Sequence, residues 1–195
     1  MALSVSFFSR PTLEVLEDLM GMILVRISEE GVTSGVIVEA EAYRGEDDPA
    51  SFAFKGRKRR SEMLYHSPGY AFVYLTYGIH HMLNVITEEE NFPAAVLIRA
   101  VEPLAGIPLM RERRHSESLE DLCSGPAKIC QAFAIDTSLN GVPLFSRRSP
   151  LYIKERRIRK RGLVWSSRIG IRQGKEKLWR VFLKDSPFVS VRNLP

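Results

Sequence analysis

Val36-Ile37-Val38-Glu39-Ala40-Glu41-Ala42-Tyr43 alternates with the period of two that marks a strand. On a regular strand Ile37, Glu39, Glu41 and Tyr43 share one face, and Val36, Val38, Ala40 and Ala42 share the other. The small apolar face is expected to pack on the core. The opposite face then presents two carboxylates and a phenol, with same-face neighbours roughly 7 Å apart. Carboxylates at that spacing repel, which disfavours a purely structural role. By itself the segment leaves a solvated outer face as the alternative.

Upstream, residues 22–27 read as a partner strand joined through Glu29-Glu30-Gly31. Before it, Ser9-Arg10-Pro11 opens a helix in which Leu13, Leu16, Leu19 and Met20 recur at helical spacing and Gly21 closes. Residues 44–62 are polar and irregular and read as a long functional loop. It carries Lys55, Arg57, Lys58, Arg59 and Arg60, a solvated run by default and phosphate contacts if nucleic acid is the partner. Residues 70–75, 80–87 and 94–101 are further strands, separated by turns at Tyr77-Gly78 and at 88–93. Residues 107–115 look helical, and Ser124-Gly125-Pro126 signals a helix over 127–135. Short strands at 163–171, 179–184 and 188–191 close the chain. No repeat or clean linker appears, so the reading is one α+β domain over residues 1–195.

Composition narrows the class. At 195 residues with 45% hydrophobic and 26% charged residues, the chain is an ordinary globular one with no apolar run long enough for a membrane span. The N-terminus lacks the pattern of a signal peptide. A cytoplasmic place is expected, on the nucleoid if the source is bacterial. Cys123 and Cys130, placed on one helix, read as buried reduced thiols. Residues 1–97 hold 8 basic and 14 acidic side chains and residues 98–195 hold 20 and 9, so the net +5 resides in the C-terminal half. Residues 154–161, KERRIRKR, add a second basic cluster. This asymmetry points to a polyanionic partner.

In residues 70–77, Tyr70, Phe72 and Tyr74 share one face of a regular strand, as core or as a platform for stacked bases. Tyr77 precedes a glycine and is expected at a turn tip, pointing outward. Metal ligation is not expected: His80 and His81 are adjacent and face opposite ways, and His66 and His115 fit no ligand spacing. Neither a phosphate-binding glycine loop nor a nucleophile elbow is present.

Several ordered segments resemble the alkyladenine (3-methyladenine) DNA glycosylases. They are VIVEAEAYRGEDDPAS at 36–51, SPGYAFVYLTYGIHHMLNV at 67–85, AVLIRAVEPLAG at 95–106, LCSGPAKICQA at 122–132, RIGI at 168–171 and SPFVSV at 186–191. The resemblance covers about residues 10 to 192. It implies a single α+β domain with a curved, mostly antiparallel sheet and peripheral helices. It implies a monomeric, monofunctional N-glycosylase that acts on alkylated purines in duplex DNA without metal or organic cofactor. In such an enzyme a damaged purine is flipped from the duplex into an aromatic slot. Carried over by motif, Glu41 is the general base that activates water, and Arg99 and the main-chain carbonyl of Ile171 hold that water. Tyr43 and Tyr74 stack on the flipped base, Asn84 rejects guanine at the pocket floor, and Tyr77 is the wedge. Arg57, Lys58, Arg59 and Arg60 would meet the DNA backbone. One departure stands out: where the family has a histidine, nine residues after the strand tyrosine, this chain has Phe52. Phe52 keeps an aromatic wall and loses a hydrogen-bonding handle. That leaves open a damaged-DNA binding protein with narrowed or lost excision. A hydrolase of free nucleosides is a further rival, but it would have no use for Tyr77 and the basic loop.

Overall fold

The computed structural model describes residues 1–156 and 162–191. Its frame is one sheet whose pairings, among the described residues, are all antiparallel. In chain order the strands are β1 (Ile23–Ser28), β2 (Gly31–Arg44), β3 (Ala71–Thr76), β4 (His80–Ile86), β5 (Ala94–Ala105), β6 (Leu151–Lys154), β7 (Leu163–Ser166) and β8 (Arg180–Leu183). They are ordered β3-β4-β5-β2-β1-β6. β2 is long enough to take two neighbours along one edge: β1 along its first half, and β8, itself paired with β7, beside Glu39–Glu41. The expected α+β class and antiparallel sheet are what the chain adopts.

Among the described residues four α-helices complete the fold: α1 (Val5–Phe8), α2 (Thr12–Leu19), α3 (Ile107–Arg114) and α4 (Pro126–Ala132). The sequence reading finds three of them; α1 is a single turn, too short to show a period. Val15, Leu16 and Leu19 of α2, Met110 of α3 and Ile129 and Cys130 of α4 bury against Ala40, Ala42, Val73, Val85, Val96 and Ile98 of the sheet. Cys123 lies before α4 rather than on it. Both cysteines are free and buried, and burial pushes each thiol up to about 12, which removes thiolate chemistry.

The strict alternation of 36–43 does not survive intact. Ile37 pairs with Val101, Glu39 with Ala100 and Ala40 with Ile98, so Val38 on β2 and Arg99 on β5 are each skipped by the register. The irregularity flips the side-chain parity. Ile37 therefore points into the helix-covered core with Ala40 and Ala42, while Val36 and Val38 join Ala100 and Phe188 in a separate apolar cluster. Glu39, Glu41 and Tyr43 keep their expected arrangement downstream of the slip.

Two expected strands are corrected. Only Leu163–Ser166 of 163–171 is a strand, because Arg168 and Ile169 turn away to bond Asp48 and Glu41. Residues 188–191 form none: the Ser190 N–H goes to Glu39 instead of to a ladder. The polar stretch 44–62 contains the 3₁₀ turn Phe52–Lys55, with a second, Glu62–Tyr65, at its end. Arg157 to Arg161 of the second basic cluster lie outside the described residues.

Candidate active site

Strand register assembles the site. Phe72 pairs with Asn84, Asn84 with Leu97, Leu97 with Glu41, and Glu41 with Arg180. Register partners project to the same face, so one row across five strands carries an aromatic ring, an amide, a carboxylate and a guanidinium. The next row, Ala71, Val85, Val96 and Ala42, lies in the helix-covered core. The site thus occupies the sheet face turned away from the helices.

A cavity of about 120 Å³ opens there, lined by Tyr43, Phe52, Leu64, Phe72, Tyr74, Asn84 and Ile171 among others. Phe52 stands edge-on to Tyr74, with ring centroids 4.9 Å apart at 75°, and to Phe72 at 6.5 Å and 77°. The Asn84 amide Nδ2 donates to the Phe72 carbonyl at 3.2 Å and is fixed in the wall. Rings on several sides and a few polar groups form a slot suited to a flat, weakly polar heterocycle.

Glu41 sits behind the wall of this slot, fully buried. The Tyr43 hydroxyl, on the lining, donates to Glu41 Oε2 at 2.8 Å, and the Ile169 N–H donates to Oε1 at 2.7 Å. Arg99 reaches both oxygens, at 3.3 and 3.4 Å. Burial outweighs these contacts and raises the Glu41 carboxyl above its ordinary range; Arg99, the Ile169 N–H and Tyr43 pull it down, and Glu39 adds a smaller upward push. Burial first, and the Glu41 charge second, lift the Tyr43 phenol well above its usual value, so it remains a donor. Glu39 is held differently. It accepts from Arg99 Nε at 3.1 Å, Arg180 Nε at 2.8 Å, Ser190 N at 2.6 Å and Ser190 Oγ at 2.8 Å. That is a structural anchor between β2, β5, β8 and the C-terminal segment.

Of the residues singled out in the sequence, Tyr43, Phe52, Tyr74, Asn84 and Ile171 line the cavity, and Glu41 and Arg99 lie against its rear. Tyr70 is not part of it and packs on Phe145. Tyr77 stands apart at the tip of the β3–β4 hairpin, 91% exposed, with φ of 52° followed by Gly78 at 72°. A bulky non-glycine residue in the left-handed region is strained. In the basic loop, Arg57 is tied to Glu62 at 2.7 Å and lies over the Tyr65 ring, and Arg60 lies 4.1 Å over the Phe52 ring. Lys58 and Arg59 are exposed and make no ion pair among the described residues.

The sequence reading missed Arg168 and Asp48 as partners. Both are buried and joined by two hydrogen bonds of 2.6 and 2.7 Å. No local pattern marks such a pair, since 120 residues separate its members; their presence in the quoted motifs is the one available signal.

Residues 6–187 match the family described as Methylpurine-DNA glycosylase (MPG). The chain belongs to that family. It is thereby a DNA N-glycosylase, and the match spans nearly the whole chain. A protein of Chlorobium phaeobacteroides is 45% identical over 186 residues, covering 94% of each chain, and carries the curated name "Putative 3-methyladenine DNA glycosylase". Proteins of the same name from Desulfitobacterium hafniense and Carboxydothermus hydrogenoformans are each 40% identical, covering 95% and 97% of this chain and 97% and 99% of their own.

Proposed function

We propose that this glycosylase flips an alkylated purine, such as 3-methyladenine or 7-methylguanine, out of duplex DNA and hydrolyses its N-glycosidic bond with water activated by Glu41. The observation that carries the reading is the hydrogen bond from Tyr43, on the aromatic slot, to the buried Glu41 carboxylate. It couples a surface on which a base can stack to a group able to take a proton.

In the reaction, water attacks C1′ of the deoxyribose, the C1′–N bond breaks, and its electron pair leaves with the purine. The proton of the attacking water passes to Glu41, leaving free base and an abasic site. A raised carboxyl is the better base, because proton transfer improves as its pKa approaches the operating pH. Arg99 and the Ile171 carbonyl orient the water. A cationic purine is already a good leaving group, so one carboxylate suffices where O-glycosidases need two. The same cation gains about 0.5–2 kcal/mol from the faces of Tyr43 and Tyr74. Asn84 excludes guanine by meeting its amino group. Tyr77 fills the vacated place in the duplex, and the basic loop meets phosphates. The protein works as a monomer on duplex DNA.

Base release from duplexes carrying 3-methyladenine, 7-methylguanine, hypoxanthine or ethenoadenine, measured side by side, tests this. Release of the two cationic bases is the expected outcome. Tight binding to such duplexes with no base released from any of them would show a damage-binding protein instead.

A further inference from the structure

Arg168 is buried, and its guanidinium lies 4.8 Å from the centre of the Tyr43 ring and 5.3 Å from that of Trp179. Its Nη1 also donates to the Ala42 carbonyl at 2.9 Å, and its Nη2 to the Gly174 carbonyl at 3.4 Å. Asp48, fully buried, takes both nitrogens at 2.6 and 2.7 Å. Tyr43 is therefore gripped: its ring is covered by a cation, and its hydroxyl is tied to Glu41. A bare guanidinium behind the ring would draw on the same π electrons that a cationic base needs, and would repel that base. The paired carboxylate cancels that charge where it arises.

We infer that the Arg168–Asp48 pair is a positioning device for the base slot. The guanidinium fixes the ring of Tyr43 from behind, and Asp48 neutralises it so that the front of the ring stays open to a positively charged purine. The inference rests on the proposed stacking of such a purine against Tyr43. Neither residue touches the base; both act through Tyr43. A merely structural pair would affect folding but would not sort ligands by charge.

The test is equilibrium binding of two duplexes that differ only in charge. One carries 7-methylguanine and the other its neutral isostere 7-methyl-7-deazaguanine, both on 2′-fluoro sugars that resist hydrolysis. The wild-type protein should bind the cationic lesion tighter by roughly threefold to thirtyfold, the size of a cation–π contact. Asp48→Asn should cut that preference at least threefold. In the double variant Asp48→Asn/Arg168→Gln the preference should return to within twofold of wild type, while both affinities fall at least fivefold. An unmoved preference in Asp48→Asn, or one that stays low in the double variant, overturns the inference and leaves the proposed function standing. Should Asp48→Asn not fold, Arg168→Lys keeps the charge balance but loses the fork. It should weaken both lesions at least fivefold at constant preference, and unchanged affinities would overturn the clamp. If wild-type protein binds neither lesion better than undamaged duplex, the stacking itself is wrong and the clamp falls with it.

Discussion

Glu39 and Glu41 lie on one strand face and meet opposite environments. Glu39 collects four donor contacts from Arg99, Arg180 and Ser190, so removing it leaves the buried Arg180 guanidinium without its carboxylate. Glu39→Ala should cost about 3–5 kcal/mol, the penalty for breaking a buried ion pair. For a chain of this size that lowers Tm by roughly 6–20 °C, read by thermal unfolding. Glu41 should behave in the opposite way. Its carboxyl is raised in the fold, so folding favours its protonated form and stability is lost as pH rises through that value. Glu41→Gln should therefore melt no lower than wild type at neutral pH. The same shift fixes the acid side of catalysis: a base must be ionised, so excision should fall as pH drops below the raised value. The midpoint of that limb in single-turnover assays should lie above the ordinary carboxylate range, and a limb at or below that range would contradict the raised carboxyl. Phe52 lines the slot but cannot hydrogen-bond. A polar lesion edge left without a partner costs about 1–3 kcal/mol. Phe52→His should then raise ethenoadenine excision relative to 3-methyladenine by roughly fivefold to a hundredfold, and an unchanged ratio would remove residue 52 from recognition.

At the scale of elements, the β3–β4 hairpin separates stability from function. Tyr77 is 91% exposed, so Tyr77→Ala should leave Tm nearly unchanged. It should nevertheless slow excision and weaken lesion binding, because the wedge offsets an unstacking cost of a few kcal/mol. A fluorescent base opposite the lesion reports the flip; normal flipping in Tyr77→Ala would exclude the wedge. This tip was legible in the sequence because Tyr-Gly between two alternating runs is a turn signal with a steric cause. The strand carrying Glu41 and Tyr43 was legible for the same kind of reason, period two with chemistry on one face. The slip at Val38 and Arg99 was not, because a skipped residue leaves no mark in an alternating string and appears only in the partner's register. Residues 168–171 and 188–191 look like strands by composition, yet they spend their backbone and side chains on Glu41, Asp48 and Glu39. Long-range pairing overrode local propensity there.

At the scale of the molecule, the proposed contact with duplex DNA draws on the surplus of cations. About six phosphate contacts would give a log–log slope of affinity against salt near −5. Neutralising Arg57, Lys58, Arg59 and Arg60 together should flatten that slope, most through Lys58 and Arg59, since Arg57 is bound to Glu62. An unchanged slope in a fluorescence titration would turn this loop away from DNA. In the proposed reaction, sheet, aromatic slot and basic loop all serve one carboxylate, Glu41, buried behind the wall where a base would stack. The direct measurement is single-turnover release of 3-methyladenine from duplex DNA by Glu41→Gln, alongside its affinity for an abasic-site duplex. Gln fills the same space but accepts no proton from water at neutral pH. Excision should be abolished while abasic-site affinity stays nearly intact; a variant that retains more than about a tenth of the wild-type rate would contradict the role of Glu41 as the base.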